Sequence, residues 1–403
     1  MPNEIIIDSP EEAKLRAELA ARTDAEALRM RRFLDMPDLS RTEGSPLHEI
    51  VSRALAVESL KGLDVIKIPE IISTHILFDL FNMPPGHPAR SASDTYYVNP
   101  VRSLARAEGA SPKDLGGATS NGVNDDFVLR THDTVFWYYY LNHPAVKEKI
   151  AQKEPIGAVC YGKVYRKDEI DRRHMNVFHQ FGGLYLVPDD KGALSPDDLK
   201  RALSEVAESI FGKDVQFRFY DHQFPYTDPS LEMEAFINGQ WVEMVGSGMA
   251  RKSVLLNFGL AGYHGWAFGF GLERLAIASM SLPDIRLLWS TDPRVTRQLA
   301  LGTTYKEVSK YPPITRDISF VVPKAFVPNN YFDLIREIGG ELVEEVSLLD
   351  KYENDKKFGA DKMSYTYRII YRSNERTLTI DEIEPLQNRV IEETKKQFNA
   401  EIR

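Results

Sequence analysis

The middle of the chain, from about Leu60 to Pro293, contains several short runs rich in β-branched and aromatic residues. Such runs are typical of β-strands. Where two of them follow each other without a helical stretch between them, antiparallel pairing is expected, because a parallel connection needs a crossover of a dozen or more residues. The runs read GAVCYGKVYR, HQFGGLYLV, VQFRFY and QWVEMVG. This pattern predicts an α+β fold, built on an antiparallel sheet that is flanked by helices.

The pattern changes after Arg294, in the last quarter of the chain. Its segments predict, in order, a strand, a helix, two strands and a closing helix. That order is typical of a small ferredoxin-like α+β domain. A chain of 403 residues also exceeds what one hydrophobic core usually serves. We therefore predict a separate C-terminal domain over residues 301–403.

The first 59 residues contain a strongly helical segment between Pro10 and Leu34. Its sequence, EEAKLRAELAARTDAEALRMRRFL, is rich in strong helix formers. We predict one or two surface helices here, within an N-terminal helical extension over residues 1–59. A solvated extension and an RNA-contacting one both fit its charges. Further along, the polar stretch from Asn99 to Asn124 predicts a long loop, of a kind that often has a function.

The composition limits the class of protein. A net charge of −9 argues against a protein that coats nucleic acid with a broad basic face, although a folded RNA can be recognised through a few bases and its shape. Cys160 is the only cysteine, which excludes an internal disulfide and fits a reducing compartment. No apolar run approaches the roughly 20 residues of a membrane-spanning helix. Because the first residues also lack the features of a transit peptide, we expect a cytoplasmic protein without membrane contact.

The stretch from Gly162 to Leu186 is the first of two that predict chemistry. It reads GKVYRKDEIDRRHMNVFHQFGGLYL, the pattern of a strand, a charged loop and a returning strand. A guanidinium holds phosphate through two hydrogen bonds, a carboxylate accepts from an adenine amino group, and an aromatic ring stacks on the base. The segment predicts a nucleotide site, although an exposed charged turn has the same composition. The side chains that this hairpin would present to one cleft are Arg166, Asp168, His174 and Phe178.

The second stretch, GWAFGFGLERLAIASMSLPDIR, predicts a glycine-rich strand that leads into a helix carrying Arg274. Gly269 and Gly271 remove side chains where a ligand would lie against the backbone. The Gly-Phe-Gly run lacks the third glycine of a dinucleotide-binding fold. The chain also lacks a phosphate-binding loop ending in Gly-Lys-Ser or Gly-Lys-Thr, so ATP would have to be bound in another way.

These two stretches resemble motifs 2 and 3 of the class II aminoacyl-tRNA synthetases, and more closely those of the phenylalanyl-tRNA synthetases. The resemblance covers nearly the whole chain from Phe78 onward. A catalytic domain over residues 60–300, followed on the same chain by a ferredoxin-fold anticodon-binding domain, follows the plan of the mitochondrial enzymes. The further segments that carry it are FNMPPGHPARSASDTYYV (Phe81 to Val98), LRTH (Leu129 to His132), FPYTDPSLE (Phe224 to Glu232), VEMVGSGM (Val242 to Met249) and YPPITRDISF (Tyr311 to Phe320).

The resemblance implies an enzyme that joins phenylalanine to tRNA(Phe) through an aminoacyl-adenylate, with ATP as substrate, Mg²⁺ as cofactor and a monomeric state. It implies a catalytic role for Arg166 and Arg274, which would contact the phosphates of ATP. The remaining ATP contacts would be Asp168, His174 and Phe178. The contacts to phenylalanine would be His132, Thr134, Gln180, Phe224, Tyr226, Ala267 and Gly269. Asp228 would help to hold magnesium, an ion that prefers oxygen ligands.

The chain departs from that family's pattern around the expected amino-acid site. Asp133 and Thr134 stand where the family usually has Thr-Ser, and Gly182 stands where it has a glutamate that meets the substrate ammonium. Asp133 is a candidate to restore this charge. Tyr226 replaces the second phenylalanine of the pocket, and its hydroxyl needs a partner if it is buried. Two alternatives therefore stay open: an enzyme for another aromatic amino acid, and a paralogue that binds RNA without charging it.

Overall fold

The computed structural model describes residues 4–98, 126–167 and 171–403. The loop predicted from Asn99 to Asn124 and the predicted ATP contact Asp168 lie outside these ranges. Within the three ranges, no helix is both long enough and apolar enough to cross a membrane.

The chain divides into two compact units, Met1–Tyr305 and Lys306–Arg403. Within the described residues, the first unit contains ten strands and the second contains four. The three domains predicted from the sequence, at residues 1–59, 60–300 and 301–403, stay a prediction.

The first unit is built on a mixed sheet of eight strands, beside a small sheet of two. The ten strands are β1 (Glu4–Ile6), β2 (Asp64–Lys67), β3 (Ile71–Ser73), β4 (Phe127–Leu129), β5 (Ile156–Tyr165), β6 (Val177–Pro188), β7 (Phe217–Phe224), β8 (Thr227–Ile237), β9 (Gln240–Ala250) and β10 (Tyr263–Gly271). The order across the large sheet is β1-β2-β5-β6-β10-β9-β8-β7, and β3 pairs with β4 in the small sheet.

The six strands from β5 to β7 in this order are antiparallel neighbours, as the sequence predicts. The two outermost strands on the other side differ: β1 pairs with β2, and β2 with β5, in parallel. Each of these two pairs is separated along the chain by helices, which supply the long crossover that a parallel pair requires. The sheet is therefore antiparallel where the predicted site residues lie and mixed at one edge.

The helices of the first unit lie between these strands. They are α1 (Pro10–Ala21), α2 (Ala25–Asp35), α3 (Pro46–Leu55), α4 (Thr74–Leu77), α5 (Phe136–Asn142), α6 (Pro144–Ala151), α7 (Pro196–Phe211), α8 (Lys252–Asn257), α9 (Leu272–Met280) and α10 (Pro293–Thr296). Several begin at a capping residue followed by proline. At α7, for instance, the Ser195 and Asp198 side chains each bond the other's backbone N–H, which satisfies two donors that a helix start leaves open.

The N-terminal helices share a hydrophobic core with the hairpin of β5 and β6. Leu19 of α1 and Met30 of α2 belong to the same buried cluster as Tyr165 and Val177, which lie at the two ends facing the charged loop. Strand β1 is also the outermost strand of the large sheet. Of the one or two helices predicted between Pro10 and Leu34, two are present, and they pack on the rest of the first unit through their apolar sides.

The second unit is an antiparallel sheet of four strands with helices. Its elements are β11 (Ile314–Pro323), α11 (Pro328–Gly339), β12 (Val343–Tyr352), α12 (Asp355–Phe358), β13 (Lys362–Tyr371), α13 (Ile380–Phe398) and β14 (Glu401–Ile402). The strand order is β12-β13-β11-β14. Apolar residues of the sheet and of both long helices form a separate core, which includes Phe320, Tyr331, Tyr367 and Val390. The ferredoxin-like order predicted from the sequence is confirmed, with one additional short strand at the end.

Candidate active-site cleft

A cleft of about 740 Å³ lies over the antiparallel part of the large sheet. Eleven of the thirteen predicted site residues line it: His132, Thr134, Arg166, His174, Phe178, Gln180, Phe224, Tyr226, Ala267, Gly269 and Arg274. Of the other two, Asp168 is not among the described residues, and Asp228 lies outside the cleft. The side chain of Asp228 is 68% exposed, and its nearest ion-pair partner is Arg251, with Oδ2 and Nη1 3.5 Å apart.

Three glycines lie side by side across three neighbouring strands beneath the cleft. Gly182 of β6 pairs with Gly269 of β10, and Gly269 pairs with Gly246 of β9. Directly paired residues point to the same face of a sheet, so this row leaves that face bare at its centre. The next partners outward are Cys160 on one side and Glu232 on the other. The sequence singled out Gly269 as a contact to the ligand and Gly182 as a departure from the family pattern, but it did not predict the row, because the register that aligns the three glycines joins distant segments.

One end of the cleft carries two arginines. Arg166 follows β5, donates from Nε to the Thr131 carbonyl at 3.0 Å, and places its guanidinium carbon 5.1 Å from the centre of the Phe178 ring. Arg274 is exposed in the first turn of α9, where Nη1 lies 2.5 Å from Glu243 Oε1. The two guanidinium groups and the ring suit a ligand that combines phosphate with an aromatic base.

A buried hydrogen-bonded pair connects the strand that carries Phe178 with the helix that carries Arg274. Glu273 precedes Arg274 on α9, and His179 follows Phe178 on β6. Glu273 accepts from the His179 backbone N–H at 2.8 Å and lies 2.6 Å from its ring Nδ1. The two side chains are 4% and 0% exposed. This pair was not predicted from the sequence, although Glu273 and His179 adjoin Arg274 and Phe178.

Two carboxylates face each other beside Arg274. Burial, followed by the charge of Glu243, raises the pKa of Glu232 above its ordinary value. Both residues line the cleft, and neither was predicted. They come together because β9 has a bulge: Glu232 pairs with Gly246, whereas Glu234, two residues further, pairs with Glu243, three residues back. Because of the extra residue, Glu243 points to the same face of the sheet as Glu232, whereas strict alternation would place it on the opposite face.

The other end of the cleft is aromatic. The rings of Phe224 and Tyr226 are stacked with centroids 5.7 Å apart, and His132 stacks on Tyr226 at 6.3 Å. A Cβ at Gly246 would lie 2.7 Å from Phe224 Cζ, so the glycine makes room for this ring. Burial, and next the charge of Arg166, lowers the pKa of His132 to about 3, which keeps its imidazole neutral. This end suits a flat apolar group.

The hydroxyl of Tyr226 has the partner that its burial requires. Burial raises the pKa of Tyr226 to about 12, and the side chain of Thr134 is hydrogen-bonded to it. Thr134 therefore contacts Tyr226, a contact that the sequence did not predict. A satisfied hydroxyl does not have to find its partner in a ligand.

Asp133 lies between the two ends of the cleft. Its backbone N–H donates to Gln180 Oε1 at 2.9 Å, and its carbonyl accepts from the Phe136 N–H at the start of α5. Its side chain is buried, and that burial raises the pKa of the carboxyl group to about 7, against the opposing charges of Arg130 and Arg166. Among the described residues, no group of three or more His, Cys, Asp or Glu side chains could hold a metal ion.

Two family models match the chain and together cover most of it. The model of the class II tRNA synthetase core domain (F) matches residues 34–299, and that of the ferredoxin-fold anticodon-binding domain matches residues 309–403. The chain is 37% identical to the chloroplastic/mitochondrial phenylalanine–tRNA ligase of Arabidopsis thaliana, over 83% of this chain and 71% of the relative. The chain belongs to the phenylalanine–tRNA ligase family of class II tRNA synthetases. The resemblance seen in its motifs is thereby confirmed.

Other relatives of this class II synthetase have the same single-chain plan. This chain is 33% identical to the mitochondrial phenylalanine–tRNA ligase of Mus musculus, over 79% of this chain and 70% of the relative. It is 29% identical to the mitochondrial enzyme of Saccharomyces cerevisiae, over 83% and 81%. The cytoplasmic location expected from the sequence is contradicted by these relatives, whose names assign them to mitochondria or chloroplasts. That expectation rested on the composition of the first residues, which was a poor guide.

Proposed function

We propose that this synthetase ligates phenylalanine to tRNA(Phe) in two steps, through phenylalanyl-adenylate formed from phenylalanine and ATP. The observation that carries the proposal is that one cleft, with a volume of about 740 Å³, has two arginines at one end and aromatic rings at the other. A phosphate-bearing nucleotide fits the first end and a phenyl ring the second. Membership in the phenylalanine–tRNA ligase family supports the same reading.

For the first step, Arg166 and Arg274 would bind the phosphates of ATP. The carboxylate of phenylalanine attacks the α-phosphorus, the bond to the β,γ-pyrophosphate breaks, and the adenylate and pyrophosphate are formed. The two guanidinium groups neutralise the negative charge that grows on the phosphate oxygens, and the cleft holds the reacting atoms in line. We propose Phe178 as the surface on which adenine stacks, with His174 and Asp168 nearby. No side-chain nucleophile is required.

Magnesium fits Glu232 and Glu243 better than it fits Asp228. The two glutamates face each other inside the cleft, where burial, followed by the charge of Glu243, raises the pKa of Glu232, and a bound cation would offset the repulsion between the two carboxylates. Asp228 is exposed and outside the cleft. One or two carboxylates together with substrate phosphates make a typical Mg²⁺ site. The bound ion would neutralise phosphate charge. To bind the ion, the Glu243 side chain would have to give up its ion pair with Arg274.

For the amino acid, the proposed phenyl pocket consists of Phe224, Tyr226, Ala267 and Gly269. Ala267 is small, which leaves space for a ring, and the Tyr226 hydroxyl is already bonded to Thr134. Apart from Tyr226, the proposed pocket residues carry no polar side chain that could bind the hydroxyl of tyrosine, and this favours phenylalanine. His132 and Gln180 would contact the polar end of the amino acid.

The second unit would read the tRNA. Its match to the ferredoxin-fold anticodon-binding domain supports this role, and the single-chain relatives support action as a monomer. We propose residues 1–305 as the catalytic part, with the first 59 residues packed on it, and residues 306–403 as the anticodon-binding part. The names of the relatives also favour an organelle as the site of action.

The test is exchange of radioactive pyrophosphate into ATP, measured with each of the twenty standard amino acids. We expect exchange with phenylalanine alone at physiological concentrations, and charging of tRNA(Phe) in a second assay. Exchange with tyrosine in preference to phenylalanine would mean another substrate. Absence of exchange with all twenty would mean a paralogue that does not activate amino acids.

A further inference from the structure

The carboxylate of Asp133 occupies the space that a side chain at position 182 would need. A Cβ placed on Gly182 would overlap Asp133 Oδ2 and lie 2.8 Å from its Cγ. Real Cβ atoms do not approach other atoms so closely, so Asp133 adopts this position only because residue 182 is glycine. The two residues are 49 positions apart and come together through the fold, since Gly182 lies in the middle of β6.

This carboxylate is buried and incompletely bonded. Asp133 is 1% exposed, and its Oδ2 has no hydrogen-bond partner within the described part of the chain. Leaving a buried acceptor unpaired costs about 1–3 kcal/mol, and more for a charged group. A group of this kind, on the wall of a ligand cleft, is completed by a donor that arrives with the ligand. The donor must be small enough to reach it and preferably cationic.

The position of Asp133 decides which part of the substrate can supply that donor. Oδ1 lies 3.5 Å from the place of a Cβ on Gly269, at the floor of the cleft, and the Asp133 backbone is bonded to Gln180. Asp133 is close enough to Tyr226 for its charge, after burial and the opposing charge of Arg166, to contribute to the raised pKa of the Tyr226 hydroxyl, and His132 stacks on that ring. The donor therefore belongs to the amino acid rather than to ATP.

The other carboxylates that line the cleft are engaged elsewhere. Glu273 is paired with His179, and Glu243 with Arg274. Glu232 faces Glu243. Asp94 is exposed and accepts from the Ser93 hydroxyl. Asp133 is thus the buried acidic group at the amino-acid end, and the α-ammonium is the cation that every amino-acid substrate carries.

We propose that Asp133 binds the α-ammonium group of the substrate amino acid, and that Gly182 acts with it by leaving the space in which this carboxylate stands. The inference rests on the proposed function, because it takes the ligand to be an amino acid. The contact to the ammonium is thus made from position 133, after His132, and not from position 182, after Phe181. The pair would have to change together, because a side chain at 182 and a carboxylate from 133 exclude each other.

The first experiment measures how much of the affinity depends on both Asp133 and the ammonium. Dissociation constants for L-phenylalanine and for 3-phenylpropanoate, which lacks the amino group, are determined by calorimetry on the full-length wild type and Asp133→Asn. We expect Asp133→Asn to weaken L-phenylalanine by about 10- to 100-fold, the range for a hydrogen bond between charged groups, and to leave 3-phenylpropanoate nearly unchanged. Asp190→Asn, an exposed carboxylate paired with Lys153, is the control and should change neither constant.

An equal loss for both ligands would assign Asp133 a structural role and overturn the inference. If wild-type protein binds neither ligand and shows no exchange with phenylalanine, the proposed function fails first. If the wild type binds and exchanges phenylalanine while Asp133→Asn does so equally well, the inference alone fails.

The second experiment uses the steric exclusion between position 182 and the Asp133 carboxylate. Gly182→Ala should weaken phenylalanine in the wild type, because the new methyl group displaces the carboxylate, and should have no further effect in an Asp133→Ala background. Asp133→Ala combined with Gly182→Glu should recover phenylalanine affinity relative to Asp133→Ala. Equal effects of Gly182→Ala in both backgrounds, or a failed recovery in a double variant that melts like the wild type, would contradict the pairing.

Discussion

The ionisation of Asp133 links pH to stability and to binding. Its pKa is about 7 in the folded chain and near 3.8 in the unfolded chain. Between these values the folded state holds a proton that the unfolded state has lost, so this group makes stability fall as pH rises. Arg130 and Arg166 oppose the shift but do not cancel it.

Asp133→Asn should therefore remove part of the decline in stability. Between pH 4.5 and 7, the wild type should lose about 1–4 kcal/mol more of its unfolding free energy than the variant. Urea unfolding at several pH values measures the difference. In the same range, phenylalanine affinity in the wild type should fall up to tenfold for each pH unit below 7, since an uncharged Asp133 cannot pair with the ammonium. A parallel pH profile for the variant would contradict this.

Arg274→Ala should abolish most adenylate formation without unfolding the protein. The guanidinium is exposed, and within the described residues its hydrogen bonds and ion pairs all go to Glu243. The fold therefore does not depend on it. Removing one preorganised charge at a reacting phosphate lowers the rate by about 100- to 1,000-fold. Pyrophosphate exchange measures the loss, and Arg201→Ala, on the outside of α7, is the control. Near-normal exchange by Arg274→Ala would exclude it from the phosphate site.

At the scale of elements, the buried pair of His179 and Glu273 ties β6 to α9. Glu273→Gln keeps the size of the side chain but removes the charge that two donors of His179 share. We expect the unfolding free energy to drop by about 1–3 kcal/mol. The KM for ATP should rise more than the KM for phenylalanine, because Phe178 and Arg274 adjoin this pair. Glu49→Gln, in an exposed pair with Arg53, should change neither by a measurable amount.

Sequence patterns were most informative where elements are local. The hairpin from Gly162 to Leu186, the helices between Pro10 and Leu34 and the order of the second unit follow from periodicity and turn residues. The pairing of β1 and β2 in parallel could not be predicted, because it joins three-residue and four-residue strands that lie nearly 60 positions apart. Short strands contain too few residues to show a periodic pattern, and their pairing depends on contacts that form only in the folded sheet.

The candidate site shows the same limit. Residues in strong motifs, such as Arg274 and Phe178, line the cleft as the sequence suggested. Glu243 was missed because a bulge reverses its direction, and a bulge is a property of two paired strands. Asp133 was named as a candidate to restore the missing charge, but its close approach to Gly182 joins residues that are distant in sequence and could not be predicted. Asp228 was chosen by position in a motif, and its exposure is not readable from that motif.

At the scale of the whole molecule, the second unit should be dispensable for amino-acid activation. Each unit has its own hydrophobic core. Removal of Lys306–Arg403 should leave pyrophosphate exchange near the full-length value. It should raise the KM for tRNA in charging by about 100-fold, because two linked binding sites act together on one ligand. Both activities are measured on the same preparation, and equal loss of both would make the second unit a structural support.

The strand order of the large sheet differs from the order in which the ribosome synthesises the strands. Strand β6 pairs with β10 through Gly182 and Gly269, and the chain between them carries the β7–β8–β9 meander, whose strands pair with near neighbours. During synthesis the meander can form while β6 still exposes one hydrogen-bonding edge. That edge stays open to wrong partners until β10 has left the exit tunnel. Fast translation from the end of β6 until β10 has emerged would therefore shorten the interval in which the unfinished sheet is prone to aggregate.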